Sequence, residues 1–226
     1  MYIQEFTSIG NRKENQDYIA YQKVGDVSGI FVVADGMGGY DFGDVAARIV
    51  AESIVESVVS NWSNPNEREL LNEAFIFANE SLALKRIALE CRKMGTCVCV
   101  LLIREGKAFI SWFGDSRIYQ YEQGLETYVT EDHSVVRELS RINALKATDI
   151  DKYSNIVTRS IMGNIALDPM EFITRSVRQG DKFLLCSDGL YKSVSLPLRW
   201  DDDLIEKLIS RDNNFNDNAS CLLVAI

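Results

Sequence analysis

Three apolar runs of this chain end abruptly at an aspartate next to a glycine: IFVVADG at Asp35-Gly36, ISWFGD at Gly114-Asp115 and FLLCSDG at Asp188-Gly189. The strands IFVVA, VCVLLI and FLLC are hydrophobic at nearly every position, so both of their faces must be covered. A carboxylate at the mouth of such a core is costly unless something positive meets it. Two more aspartates stand just before strands, Asp17 in ENQD and Asp217 in NDNAS. If these strand ends converge, five carboxylates share one rim, and their repulsion requires cations. Asp212-Asn213 repeats the pair Asp217-Asn218, but only the second runs directly into an apolar strand.

The rest of the chain suggests how such strands are arranged. Strand-like runs YIQEFTSI, DYIAYQKV and GIFVVAD come first, followed by a helix from Phe42 to about Trp62. In that helix Ala46, Val50, Ile54 and Val58 form one face, and Asp44, Arg48, Glu52 and Glu56 the other. A second helix begins at Asn64 and Pro65 and carries Leu71, Phe75, Ala78 and Leu82 on one side. TCVCVLLIR, KAFISWFGD, SRIYQYE and GLETYVT, broken by Glu105-Gly106 and Glu122-Gln123-Gly124, read as an antiparallel meander. A mixed segment over 133–166, two strands, a short helix near 201–210 and a last strand complete the pattern. Strands grouped in hairpins, with helices between the groups, predict an α+β fold: a central β-sandwich of two antiparallel sheets flanked by α-helices, in four layers α-β-β-α.

Residues 1–226 are expected to form one domain. The net charge of −9 argues against nucleic acid or an anionic membrane as main partner. No basic start followed by an apolar stretch and no membrane-length run is present, so a soluble cytoplasmic protein is expected. Four of the five cysteines lie in apolar runs, a pattern of reduced buried thiols rather than disulfides or a zinc site.

Oxygen ligands without histidine or cysteine favour Mg²⁺ or Mn²⁺. Two such ions about 3.5–4 Å apart would hold and deprotonate a bridging water, an arrangement suited to phosphoester hydrolysis. A single Asp-Gly after a strand is usually a turn, and Asp17 or Asp115 alone can be a turn or cap; the recurrence of strand-end aspartates is what points to metal. Arg12 offers a donor fork for phosphate, although most such arginines are surface residues. His133, the only histidine, sits at a helix start with Asp132 or Ser134 as cap, and a capping or core-edge role is preferred to catalysis. Gly38 and Gly43 have the GxxxxG spacing of a nucleotide cradle, but Asp44-Val45 follow where Lys and Ser/Thr are needed.

Taken in order, NRKENQD, ADGMGG, MGTCVCV, FGDSRIYQY, TEDHSVV, NIVTRSIMG, CSDGLY and NDNASCLLV resemble the successive motifs of the metal-dependent protein phosphatases of type 2C, from about residue 7 to the C-terminus. The resemblance implies a monomeric serine/threonine phosphatase acting on phosphoproteins made by a serine/threonine kinase, with water activated by two Mn²⁺ or Mg²⁺ ions. It places Asp35 between both metals, the Gly36 carbonyl on one of them, and Asp188 and Asp217 as the remaining direct ligands. Asp17 would act through water, Asp115 would hold a third metal, and Arg12 would grip the substrate phosphate. Residues 134–166 fall where bacterial members carry a flap, and the short stretch from Ser187 to Asp217 implies a reduced helix. Met37 stands where many eukaryotic members have a histidine, so the leaving oxygen must take its proton from another source. The competing expectation is a phosphatase-fold signalling module that binds a phosphoprotein or kinase without turning it over.

Overall fold

The computed structural model describes residues 1–37, 42–210 and 214–226. Ten strands form two five-stranded antiparallel sheets. The first contains β1 (Tyr2–Ser8), β10 (Ala219–Ala225), β9 (Lys182–Cys186), β6 (Arg117–Glu122) and β7 (Leu125–Val129), in that spatial order. The second contains β2 (Asp17–Lys23), β3 (Gly29–Gly36), β4 (Thr96–Arg104), β5 (Lys107–Phe113) and β8 (Ile173–Ser176).

Alternation along the strands divides the interior into three apolar layers. Phe31 and Val33 of β3, Leu101 of β4, Phe183 of β9 and Leu222 of β10 meet between the sheets. Their neighbours Ile30, Val32 and Val100 face outward onto the helices α1 (Gly43–Ser60) and α2 (Glu67–Ala88). On the opposite side, Leu184, Cys186 and Leu223 lie under α5 (Asp188–Ser193) and α6 (Leu204–Ile209). Strands covered on both faces need no polar side, which accounts for their unbroken hydrophobicity. The expected four layers are present, with unequal outer ones: α1 and α2 have 18 and 22 residues, α5 and α6 six each.

The expected helix faces hold. Ala46, Val50, Ile54 and Val58 of α1 and Leu71, Phe75, Ala78 and Leu82 of α2 are fully buried. The cap of α2 is Asn66 rather than Asn64: Asn66 Oδ1 accepts from Glu69 N at 3.2 Å, while Asn64 Oδ1 accepts from Asn66 N one turn earlier.

The expected meander does not form as one sheet. β4 pairs with β5 and β6 with β7, but β5 and β6 belong to different sheets. Gly114, at φ +96°, turns the chain across; a Cβ there would lie 2.2 Å from Cys97 Sγ. Asp115 rides on this crossing.

Between β7 and β8 the chain forms two short helices, α3 (Val135–Arg141) and α4 (Ala147–Tyr153). It returns through the bridges Ser134–Val157 and Thr96–Ile161. The return is fastened to α2: Asn79 Nδ2 donates to Asn164 O (2.7 Å), Gly163 N donates to Asn79 Oδ1 (2.9 Å), and Arg86 donates to Met162 O (2.8 Å).

Phe75 packs edge-on against Phe113, with ring centroids 5.1 Å apart, and ties α2 to the second sheet. Phe75→Ala is expected to cost about 3–5 kcal/mol in urea unfolding, from lost burial plus the cavity left behind. A loss under about 1 kcal/mol would show that α2 does not anchor this face.

Candidate active site

Antiparallel register assembles the site. Pairing of β2 with β3 sets Asp17 directly opposite Asp35, and pairing of β3 with β4 sets Asp35 opposite Cys97 and Gly36 opposite Thr96. Like charges directly opposed across strands repel. The other sheet arrives at the same end, where the Ser187 hydroxyl donates to Asp17 Oδ2 at 2.7 Å. Asp188 opens α5 immediately after Ser187, and Asp217 lies just before β10. Asp35, Asp115, Asp188 and Asp217 therefore line one cleft of about 830 Å³, together with Arg12, Gly36 and Met37. Asp17 lies behind the cleft wall and is 9% exposed.

Thus the structure brings Asp17, Asp35, Asp115, Asp188 and Asp217 to one end of the sandwich. Gly38 and the alternative pair Asp212-Asn213 lie outside the described residues. Gly36 must be a glycine because its backbone runs against two others: a Cβ would lie 2.3 Å from Gly43 O and 2.7 Å from Gln16 O.

The crowding has an electrostatic signature. Burial, followed by the charges of Asp17, Asp188 and Asp115, holds the Asp35 carboxyl well above the ordinary carboxylate range. Burial also pushes Asp17 up to about 7 despite its bond from Ser187, and pushes Asp115 up to about 6 with help from Asp188. Asp17 Oδ1 is buried without a hydrogen-bond partner. Two cations partly offset this charge. Arg12 Nη2 lies 2.6 Å from Asp217 Oδ2, and Lys192 Nζ lies 2.6 Å from Asp188 Oδ2 and 3.8 Å from Asp115 Oδ2.

Among the described residues, no three potential ligands close on one point at coordinating distance; Arg12 and Lys192 instead draw Asp217 and Asp188 to themselves. The donor chemistry still fits hard divalent cations. It consists of carboxylate oxygens, and a cation beside them would reverse the upward shifts of Asp17, Asp35 and Asp115. Cys97 also lines the cleft, but burial keeps its thiol protonated and so a poor ligand.

The crossing that carries Asp115 is braced twice. Tyr191 Oη donates to Asp115 O at 3.0 Å. The Tyr191 ring lies 3.7 Å from the Arg117 guanidinium, which grips Asp132 through two bonds of 2.8 Å. One residue earlier, Gly114 N donates to His133 Nδ1 (3.2 Å) and His133 N donates to Gly114 O (2.9 Å). His133 stacks on Trp112 and does not line the cleft. Its place is at the edge of the core, where burial lowers its pKa and an accepting Nδ1 fits the neutral ring. Ser134, not Asp132, caps α3.

Two site residues escaped the sequence reading. Asn218 Nδ2 donates to Ile9 O and Glu14 O, and its Oδ1 accepts from Gln16 N, all at 2.9 Å. It thereby fastens the loop that carries Arg12 to the start of β10, and its position directly after Asp217 was the available signal. Lys192 was the other; its spacing of four from Asp188 at a helix start was the clue.

Two sheets whose ends gather carboxylates beside Arg12 form a cleft whose chemistry suits divalent cations and a phosphoryl group. Residues 7–219 match the family model described as protein phosphatase 2C. The protein phosphatase PhpP of Streptococcus pneumoniae is 30% identical over 244 residues, covering 100% of this chain and 98% of its own. A solved serine/threonine phosphatase of S. agalactiae is 26% identical with a TM-score of 0.78, covering 100% of both chains. The catalytic domain of the serine/threonine protein phosphatase PstP, solved in complex with two manganese ions, superposes with a TM-score of 0.79 over 98% of this chain and 96% of its own, at 23% identity. The chain belongs to the protein phosphatase 2C family, and is a protein serine/threonine phosphatase.

The raised carboxyls fix the pH response of metal-stripped protein. The folded state holds protons on Asp17 and Asp115 up to about 7 and 6, while the unfolded chain releases them near 4. Between those limits the folded state binds more protons, so stability falls as pH rises. Chelator-treated protein is expected to lose on the order of 2 kcal/mol in urea unfolding between pH 5 and 7.5, and Asp17→Asn should flatten that slope. Stability that rises over this range would contradict the assignment.

Proposed function

We propose that this cleft hydrolyses phosphoserine and phosphothreonine in proteins with two divalent ions, Mn²⁺ or Mg²⁺, held by Asp35, the Gly36 carbonyl, Asp188 and Asp217. The observation that carries the reading is the convergence of strand-end aspartates on one cleft whose rim holds Arg12. When bound, the ions supply a nucleophilic water at neutral pH and offset charge on the phosphoryl oxygens.

The chain's own residues do the rest. Asp35 is fixed by its strand register, and its backbone carbonyl accepts from the Thr96 hydroxyl at 2.7 Å, so the carboxylate has little freedom. Asp17, buried behind it, would hold the ions through water, and Asp115, beside Asp188, would offer carboxylate oxygens to a further cation. Arg12 leaves Asp217 to take the substrate phosphate, a swap of one anion for another that needs only side-chain rotation at an exposed site. Met37, in the cleft wall, has no proton to give, so the leaving oxygen is protonated by water.

Residues 134–166 serve as the flap in this reading, with Asn155 and Val157 on the cleft wall where they meet an incoming substrate. The substrates would be products of a serine/threonine kinase and the enzyme a cytoplasmic monomer. In support, no helix among the described residues is long and apolar enough to cross a membrane, and the net charge is −9.

Asp35→Asn and Asp188→Asn are expected to lower Mn²⁺-dependent hydrolysis of p-nitrophenyl phosphate and of a phosphothreonine peptide by more than about tenfold, with the fold retained. A variant that keeps over a tenth of wild-type turnover would remove its aspartate from the ligand set. Arg12→Ala should raise KM for the phosphopeptide about tenfold, roughly 1.4 kcal/mol of lost phosphate binding, with Mn²⁺ affinity little changed. Unchanged kinetics would take Arg12 out of the site.

A further inference from the structure

We infer that Lys192 is a built-in cation between Asp115 and Asp188, standing in the position that a third divalent ion would take. The inference rests on the two-ion phosphatase reading and extends it to a third cationic position.

The geometry is specific. Asp188 opens α5 and Lys192 lies four residues on, so both side chains share one helix face. Lys192 Nζ is 2.6 Å from Asp188 Oδ2, 3.8 Å from Asp115 Oδ2 and 3.2 Å from Asn155 Oδ1. Those three oxygens come from α5, from the β5–β6 crossing and from the segment over the cleft. An ammonium has three donors and no acceptor; here it hydrogen-bonds Asp188 and Asn155 and lies within ion-pair range of Asp115. Tyr191, the residue before it, bonds the Asp115 carbonyl, so the lysine and the aspartate it faces are held on one scaffold.

Charge balance points the same way. Asp17, Asp35, Asp115, Asp188 and Asp217 bring five negative charges to the site when ionised, while Lys13 and Glu14, also on the cleft wall, offset each other. Two divalent ions neutralise four of them, and Lys192 the fifth. Arg12 is then left free for substrate phosphate. A third divalent ion would overshoot this balance and would have to displace an ammonium already bonded to Asp188 and paired at longer range with Asp115.

The experiment is Mn²⁺ stoichiometry by equilibrium dialysis and metal analysis, with calorimetric titration, on the full chain and on Lys192→Met and Lys192→Asp. The methionine keeps the aliphatic stem and removes only the charge; the aspartate adds an oxygen ligand. Circular dichroism melting selects whichever variant is folded, and phosphopeptide hydrolysis is followed in parallel. Wild-type protein is expected to bind two ions, and a folded variant three, the last more weakly than the first two. Three ions on wild-type protein, or only two on a folded variant, would overturn the lysine assignment while leaving the phosphatase reading standing. Wild-type protein that binds no ion would remove the phosphatase reading itself, and this assignment with it.

Discussion

Mutual repulsion among carboxylates at one end of the sandwich is the constraint from which the other features of this protein follow. Asp17 and Asp35 face each other across a strand pair, and Asp188 and Asp115 add their charge from the neighbouring sheet and the crossing. In water such groups would spread apart. Here the ladders on either side prevent it, because Asp35, Asp115, Asp188 and Asp217 adjoin strands that are almost wholly buried, and the β2 strand that carries Asp17 is paired along its length with one of them. Folding energy from apolar burial therefore holds charges together that only cations can reconcile.

The cations supplied by the chain itself are distributed by role. Arg12 sits on an exposed loop, and its contact with Asp217 is open to exchange with a phosphate. Lys192 is on a helix, closer in, and bound on several sides. The groups around them are rigid for a purpose. Asn218 spends both ends of its amide on the Arg12 loop, while Tyr191, Arg117, Asp132 and His133 hold the crossing that presents Asp115. Precise positioning of charge, rather than any reactive side chain, is what this architecture supplies.

Much of this was legible in the sequence because the relevant signals are local. An unbroken apolar run ending in Asp-Gly shows a strand and its functional end together, and helix faces such as Ala46 to Val58 follow from periodicity alone. What was not legible depends on partners far apart in the chain. The run from Thr96 to Val129 looks like a continuous meander because Glu105-Gly106 and Glu122-Gln123-Gly124 are hairpin-like turns, while the crossing at Gly114, packed against Cys97, sends it into the other sheet. Asn66 displaced Asn64 as the cap of α2 because two asparagines two residues apart offer the same chemistry, and the backbone selects between them. Lys192 reads as an ordinary surface lysine until Asp115, seventy-seven positions earlier, is brought beside it.

The alternation of β3 carries one more implication. Ile30, Val32 and Ala34 point to the helices and Phe31 and Val33 to the other sheet, and the same backbone phase aims Asp35. Inserting or deleting a single residue anywhere in that strand would exchange its two greasy faces and swing the carboxylate away from its companions at one stroke. The lengths of the strands that meet at the cleft are therefore tied to its chemistry: one backbone phase sets both the packing and the carboxylate.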